Sequence, residues 1–304
     1  MAEAPMISRA AALINPRAGS VSAFGATRVA ELLQAALPPG SEIVIPEPAE
    51  LDATLLRLFD SKPDALVVAG GDGTQRAAAT LAAERGIPLA PLPGGTLNVL
   101  PKKAFGARNL EGAIDSLRDA APRKLEAARA DGKLFLVAAC VGPIVRISAL
   151  REAVRGASFT KRLWQQMRYV AARAFSHHFA YHTLERGWTD AHALVVALED
   201  VDSAFGRAPS GPNPNHGPLE AAAVTFRGWG DFTRFSASAL AGGWRSFQSA
   251  STWDTARTEL DGRGRPLPAM LDGESVILSS RAVIEHDPKG VPIWAPPMET
   301  PTSA

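Results

Sequence analysis

The apolar residues of this chain follow two texts, one before and one after about Leu125. In the first, short and almost wholly apolar runs alternate with stretches of helical spacing. AALI (11–14), EIVIP (42–46), ALVVA (65–69) and PLAPLP (88–93) have the length and content of buried strands. Between them, residues 26–36 carry Val29, Leu32, Leu33 and Ala36 on one helical face and stop at Pro38-Pro39-Gly40. Residues 51–59, 75–85 and 110–120 also read as helices. Strand and helix in alternation predict an α/β fold, a parallel sheet covered on both faces.

In the second text, LFLVAACV (134–141), ALVVAL (193–198), LEAAAVTF (219–226) and SVILSS (275–280) alternate with turn-rich segments. That texture predicts a β-rich second domain. The expected division is an α/β domain over 1–125, with 285–304 a candidate to rejoin it, and a β-rich domain over 126–284. Residues 207–218 are too rich in Pro and Gly for regular structure, and the tail PPMETPTSA reads as disordered.

Composition narrows the function. With 304 residues and 46% apolar content the chain can bury two cores. A net charge of +1 argues against a nucleic-acid-coating protein. The lone Cys140 cannot form an internal disulfide and reads as a core thiol in a reducing compartment. The longest apolar stretch, 134–145, is interrupted by Gly142-Pro143 and falls short of a membrane span, and the amino terminus lacks a long apolar region. These features place the expected protein in the cytoplasm.

Chemistry concentrates at two glycine loops, GGDGT (70–74) and PGGTLN (93–98), each between a strand-like and a helix-like run. Glycine lets backbone N–H groups approach phosphate oxygens, and a helix amino terminus adds favourable partial charge. Asp72 would repel phosphate unless it positions the loop or engages Mg²⁺. Thr74 can cap the helix or donate to a phosphate, and Thr96 and Asn98 place a hydroxyl and an amide at the second helix start. Taken alone, GGDG is also an ordinary tight turn. Downstream, LDGE (271–274) sets Asp272 and Glu274 two apart, on one side of an extended backbone, as a general base and a metal partner; DGE is equally a plain turn before SVIL.

Taken in order, NPRAGS, GGDGT, PGGTLN and LDGE resemble the diacylglycerol kinase catalytic family, which includes bacterial lipid kinases, sphingosine kinases and ceramide kinases. GGDGT alone is shared with NAD kinases and 6-phosphofructokinases; the second loop and the late DGE select the lipid branch. The resemblance implies ATP and Mg²⁺ as cofactors and a lipid hydroxyl as phosphate acceptor. It also implies a nucleotide site at Asn15, Gly70, Gly71, Asp72, Gly73, Thr74, Gly95, Thr96 and Asn98, with Asp72 toward the metal and Asp272 or Glu274 as base. Three positions depart from the family pattern. Arg76-Ala77 replaces an Asn-Glu pair, Val99 replaces an Asp, and His216 replaces an Asp that helps hold a structural Mg²⁺ in bacterial members, so that ion is expected to be absent or held differently.

Residues 159–175 combine an apolar stripe with Lys161, Arg162, Arg168 and Arg173. They read either as a helix docking on an anionic membrane or as a helix packed by its stripe with solvated cations. His178 and His182, a helical turn apart, lack a third metal ligand. Trp188, Trp229, Trp244 and Trp253 read as core or pocket walls. Two other readings stand beside the lipid kinase: an NAD kinase-like soluble enzyme, and a lipid- or nucleotide-binding homologue that lost activity.

Overall fold

A computed structural model of the chain describes residues 7–142, 178–198, 201, 217–226, 228, 230–231, 234 and 250–297. The basic stretch 159–175, His216, Trp229 and Trp244 lie outside these residues, as do most of the 207–218 loop and of the tail. The chain divides into two compact units, one made of 1–126 and 288–304 and the other of 127–287.

The first unit opens with β1 (Ala10–Ile14), followed by α1 (Gly19–Phe24), α2 (Ala26–Ala36), β2 (Glu42–Val44), α3 (Leu51–Asp60) and β3 (Ala65–Gly70). Next come α4 (Asp72–Arg85), β4 (Leu89–Pro93), α5 (Val99–Phe105) and α6 (Leu110–Asp115). The strands pair in the order β2-β1-β3-β4, all parallel. β1, β3 and β4 are buried along their whole length, as strands covered on both faces must be.

Of the four apolar-face positions expected in residues 26–36, α2 buries Val29 and Leu33 and leaves Leu32 and Ala36 half-buried. α3 buries Leu55, Leu58 and Phe59. Full burial of such side chains is worth about 1.5–3 kcal/mol each. α4 buries Ala78, Ala79 and Ala82, small residues that let a helix approach closely. It ends at Gly86, whose left-handed φ of 69° carries its N–H back to Ala82 O. The single helix expected over 110–120 is shorter: α6 passes at Ser116 into a 3-10 turn.

β5 (Ala121–Ala130) leads from the first unit into the second, which continues with β6 (Lys133–Phe135), β7 (Ala138–Val141), β8 (Phe179–Thr183), β9 (Gly187–Ala191) and β10 (Ala193–Ala197). It proceeds through β11 (Leu219–Val224), β12 (Ala250–Thr255), β13 (Arg257–Asp261), β14 (Leu267–Leu271) and β15 (Glu274–Leu278). β16 (Arg281–Ala295) then returns the chain to the first unit. One antiparallel sheet runs β12-β11-β10-β7-β14-β15, and β16-β13-β8-β9 forms a second antiparallel set. Ala139, Val141, Leu194, Val196 and Leu271 from the first sheet meet Phe179, Tyr181, Leu260 and Ile284 from the second in one buried core. The architecture is therefore an α/β unit followed by a β-rich unit.

The carboxyl half of β16 reaches β4 at one paired position, Ile293 opposite Leu89. Leu66 N–H donates to Pro88 O, so alternate residues of β4 turn their backbone groups toward β3, and Leu89, Pro91 and Pro93 turn theirs the other way. Prolines have no N–H to donate. The ladder with β16 therefore stops after Leu89, and a strand written PLAPLP is tolerated next to it.

Candidate functional site

Three segments of the first unit come together at the carboxyl ends of β1, β3 and β4. Asn15, just past β1, donates from Nδ2 to the Thr74 hydroxyl at 3.1 Å, and its Oδ1 accepts the Arg17 N–H at 3.0 Å. Ser20 N–H reaches Gly94 O at 3.2 Å. The segment read as an irregular break at NPRAGS thus ends in the short helix α1, which the Pro and Gly there concealed.

The first glycine loop is tighter than its sequence suggested. α4 begins at Asp72, with Gly71 as its N-cap, so Asp72, Gly73 and Thr74 form the first helical turn. The first intrahelical bond is Gln75 N–H to Gly71 O at 2.9 Å. The N–H groups of Asp72, Gly73 and Thr74 precede it and have no carbonyl partner within the helix. N–H groups in that position at a helix start are able to donate to an anion. Thr74 does not cap α4; its hydroxyl is the acceptor for Asn15.

Asp72 accepts the backbone N–H of Leu97 at 3.1 Å and of Val99 at 3.3 Å. Of the two uses open to this carboxylate, positioning the loop is therefore visible in the fold. A negative side chain in the first turn is also favoured by the helix dipole. Asn98 folds the second loop from within: Oδ1 accepts from Gly94 N at 3.1 Å and Gly95 N at 2.7 Å, and Nδ2 donates to Gly95 O at 2.8 Å. It adopts a left-handed backbone, φ 50°, which asparagine tolerates better than most residues. The two loops then touch. A Cβ at Gly94 would lie 2.6 Å from Gly70 O, and one at Gly95 would lie 2.6 Å from the Asp72 carboxylate. Thr96 stays exposed at the crown of the loop.

Two residues outside every motif support this arrangement. Gln75 is buried and donates from Nε2 to Val68 O and Leu92 O, each at 2.8 Å. Arg123 closes the far end of α5, donating to Lys103 O at 3.1 Å and Ala104 O at 2.8 Å. Burial pushes the Arg123 guanidinium below its ordinary value. Gln75 left one sequence signal: a polar side chain on the stripe formed by Ala78, Ala79 and Ala82.

In the second unit, Asp272 and Gly273 form the two-residue turn of the β14–β15 hairpin, with φ of 50° and 91°. The extended backbone expected for LDGE is therefore not present, and Asp272 and Glu274 do not share a side by strand alternation. The Asp272 carboxylate accepts three backbone N–H groups, from Leu136 at 2.7 Å, Val137 at 2.8 Å and Ala138 at 3.1 Å. Those bonds divide the apolar run LFLVAACV into β6 and β7, where a single strand was expected. Glu274 begins β15 and is half-buried.

The remaining sequence readings meet different outcomes. Cys140, on β7, is partly buried, and desolvation together with the Asp272 charge pushes its thiol up to about 12. His182 lies in strand β8 just after His178, so the two are not a helical turn apart. Among the described residues no group of His, Cys, Asp or Glu gathers as a metal-holding cluster. Trp253 stacks on Tyr181 at 4.8 Å, whereas Trp188 is 54% exposed and walls no core. Among the described residues no helix is long and apolar enough to cross a membrane.

Donors gathered at the carboxyl edge of an open parallel sheet, with β1 and β3 adjacent where the strand order reverses, place this unit in the class of α/β folds that take ligands at a topological switch point. A profile of the diacylglycerol kinase catalytic domain matches residues 9–130. Three solved structures from Bacillus anthracis str. Sterne share the fold, one described as a diacylglycerol kinase and two as candidates for that activity. The first of these candidates is 20% identical with a TM-score of 0.66, over 95% of this chain and 98% of its own. The diacylglycerol kinase is 18% identical with a TM-score of 0.61, over 95% and 97%. The second candidate is 20% identical with a TM-score of 0.63, over 95% and 98%.

Proposed function

We propose that the protein is an ATP-dependent lipid kinase that transfers the γ-phosphate to the hydroxyl of a diacylglycerol-like or sphingoid lipid. The carrying observation is the start of α4, where the N–H groups of Asp72, Gly73 and Thr74 precede the first intrahelical bond beside two interlocked glycine loops. In this reading Gly70, Gly71, Gly73 and Thr74 line the phosphates, Asn15 holds the Thr74 hydroxyl, and Gly95, Thr96 and Asn98 shape the opposite wall.

Mg²⁺ usually binds through one or two carboxylates, phosphate oxygens and water, without a dedicated protein cage. Asp72 fits that requirement: its two N–H bonds leave further lone-pair positions on the carboxylate. A bound ion would neutralise charge on the transferring phosphoryl group. For Asp272 to take a proton it would have to give up bonds to Leu136, Val137 or Ala138. The proposal therefore assigns proton acceptance from the lipid hydroxyl to Glu274, and to Asp272 the holding of the turn.

Labelled ATP incubated with a panel of diacylglycerols, sphingoid bases and NAD tests the assignment, with Asp72→Ala as the paired variant. Label on a lipid, lost in the variant, is the expected result. Label on NAD alone would replace the lipid kinase with a soluble nucleotide kinase. ATP binding with no transfer would favour a homologue that has lost activity.

A further inference from the structure

Gln75 occupies an unusual position for an amide. It is 2% exposed, on the face of α4 that otherwise presents Ala78, Ala79 and Ala82 to the sheet. Both Nε2 bonds go to strand carbonyls, Val68 O on β3 and Leu92 O on β4, each at 2.8 Å, with Gly70 O at 3.5 Å. The donor assignment follows from the partners, since all three are carbonyl oxygens. Its Oε1 is buried with no hydrogen-bond partner. An unpaired buried acceptor is unfavourable, and a hydrophobic residue of the same length would avoid it. The residue is therefore placed for its donor end.

That donor end ties together the two strands that carry the glycine loops. Val68 lies two residues before Gly70, and Leu92 two before Gly94, the pair whose backbones touch. Beyond that contact, Asp72 ties the start of α4 to Leu97 and Val99. The loops are thus cross-linked at three successive levels, and Gln75 is the lowest. We infer that Gln75 is a positioning residue that sets the gap between the two glycine loops and, through that gap, the fit of a nucleotide phosphate. The second half of this inference rests on the function proposed above; the first does not.

Gln75→Met keeps the length of the side chain and removes both the donors and the unpaired Oε1. The variant is expected to melt near the wild-type temperature while amide hydrogen exchange in the ligand-free protein rises about tenfold in 70–74 and 94–99 and stays unchanged in β1 and α3. MgATP binding by titration calorimetry is expected to weaken about tenfold, with KM for MgATP raised more than kcat is lowered, a pattern that lost stability alone does not produce. Should Gln75→Met fail to fold, Gln75→Leu serves the same measurements. Wild-type exchange in both loops of a folded variant overturns the inference. Unchanged MgATP affinity in a variant whose loops have loosened overturns its functional half. If the wild-type protein itself ignores MgATP, the kinase reading falls, and loop exchange still decides the role of Gln75.

Discussion

Asp72 and Asp272 are two carboxylates with one local occupation, the binding of backbone N–H groups, in two unlike surroundings. Asp72 sits in the first turn of α4 and takes two donors at 3.1 and 3.3 Å from the neighbouring loop. Asp272 sits in a hairpin turn and takes three at 2.7 to 3.1 Å from a distant part of the chain. Bonds to an ionised acceptor are shorter and stronger when the geometry is good. The shorter, more numerous set belongs to a residue whose oxygens are taken up in organising β6 and β7. The longer, sparser set belongs to a residue beside helix-start donors that keeps lone pairs for another partner. A DG turn and a GGDGT turn therefore place similar aspartates in different service.

The sharpest way to break this contrast is to ask which carboxylate in the DGE turn does chemistry. Glu274→Gln is expected to lower the rate of phosphate transfer at least roughly hundredfold, the usual scale for a lost general base. A variant with near wild-type transfer would return the role of base to Asp272. Asp72→Ala is expected to be comparably damaging to transfer, and to loosen the second loop as well.

Asp272→Ala addresses the same contrast through stability. It strands three N–H groups and places alanine at φ 50°, so a loss of about 3 kcal/mol in urea unfolding is expected. Asp272→Asn, which tolerates that backbone and keeps one acceptor oxygen, should lose about half as much. Equal losses would mean that the carboxylate's bonds to 136–138, and not strain at the turn, dominate. Gly95→Ala probes the other side: the new methyl group meets the Asp72 carboxylate at 2.6 Å, and displacing it should cost about 2 kcal/mol and raise KM for MgATP.

How much of this could be read from the residues differs between the two units for a physical reason. In the first, strands buried on both faces must be wholly apolar, and helices must carry their stripe, so AALI, ALVVA and the 26–36 spacing name their elements directly. In the second unit the wholly buried β10 and β11 were read from ALVVAL and LEAAAVTF, whereas β9, β12 and β15 keep a wet face, and several strands escaped. β16 contains Pro288, Gly290 and Pro292, yet continues for fifteen residues because its pairing changes partner along its length. The glycine loops stood out in the sequence, but their interlocking did not, because Asp72, Asn98 and Gln75 act on backbone groups, and only Gln75 left a trace, as a polar residue on the stripe of Ala78, Ala79 and Ala82. The break between β6 and β7 was hidden for the same reason: its cause, Asp272, lies far along the chain.

Asp64 supplies a smaller test, since it repeats the three-donor arrangement of Asp272 in water. Its carboxylate accepts the Ser8 N–H at 2.9 Å, the Ser8 hydroxyl at 2.7 Å and the Arg9 N–H at 2.8 Å, clipping the chain ahead of β1 to the start of β3. The Ser8 hydroxyl first, then the Arg9 and Ser8 N–H groups, hold it below the ordinary value of 3.8. A carboxyl with a native value below its unfolded one contributes stability in full above the unfolded value, and loses it as pH falls through the native one. Urea midpoints measured between about pH 6 and pH 2.5 should therefore decline slightly less steeply for Asp64→Asn than for wild type, with the two curves converging at the acid end. Because the group is exposed, solvent screening keeps this difference the smallest of the set. Parallel curves would mean that the clip at Asp64 forms without net stabilisation, and that three donors matter at Asp272 because it is shielded from water.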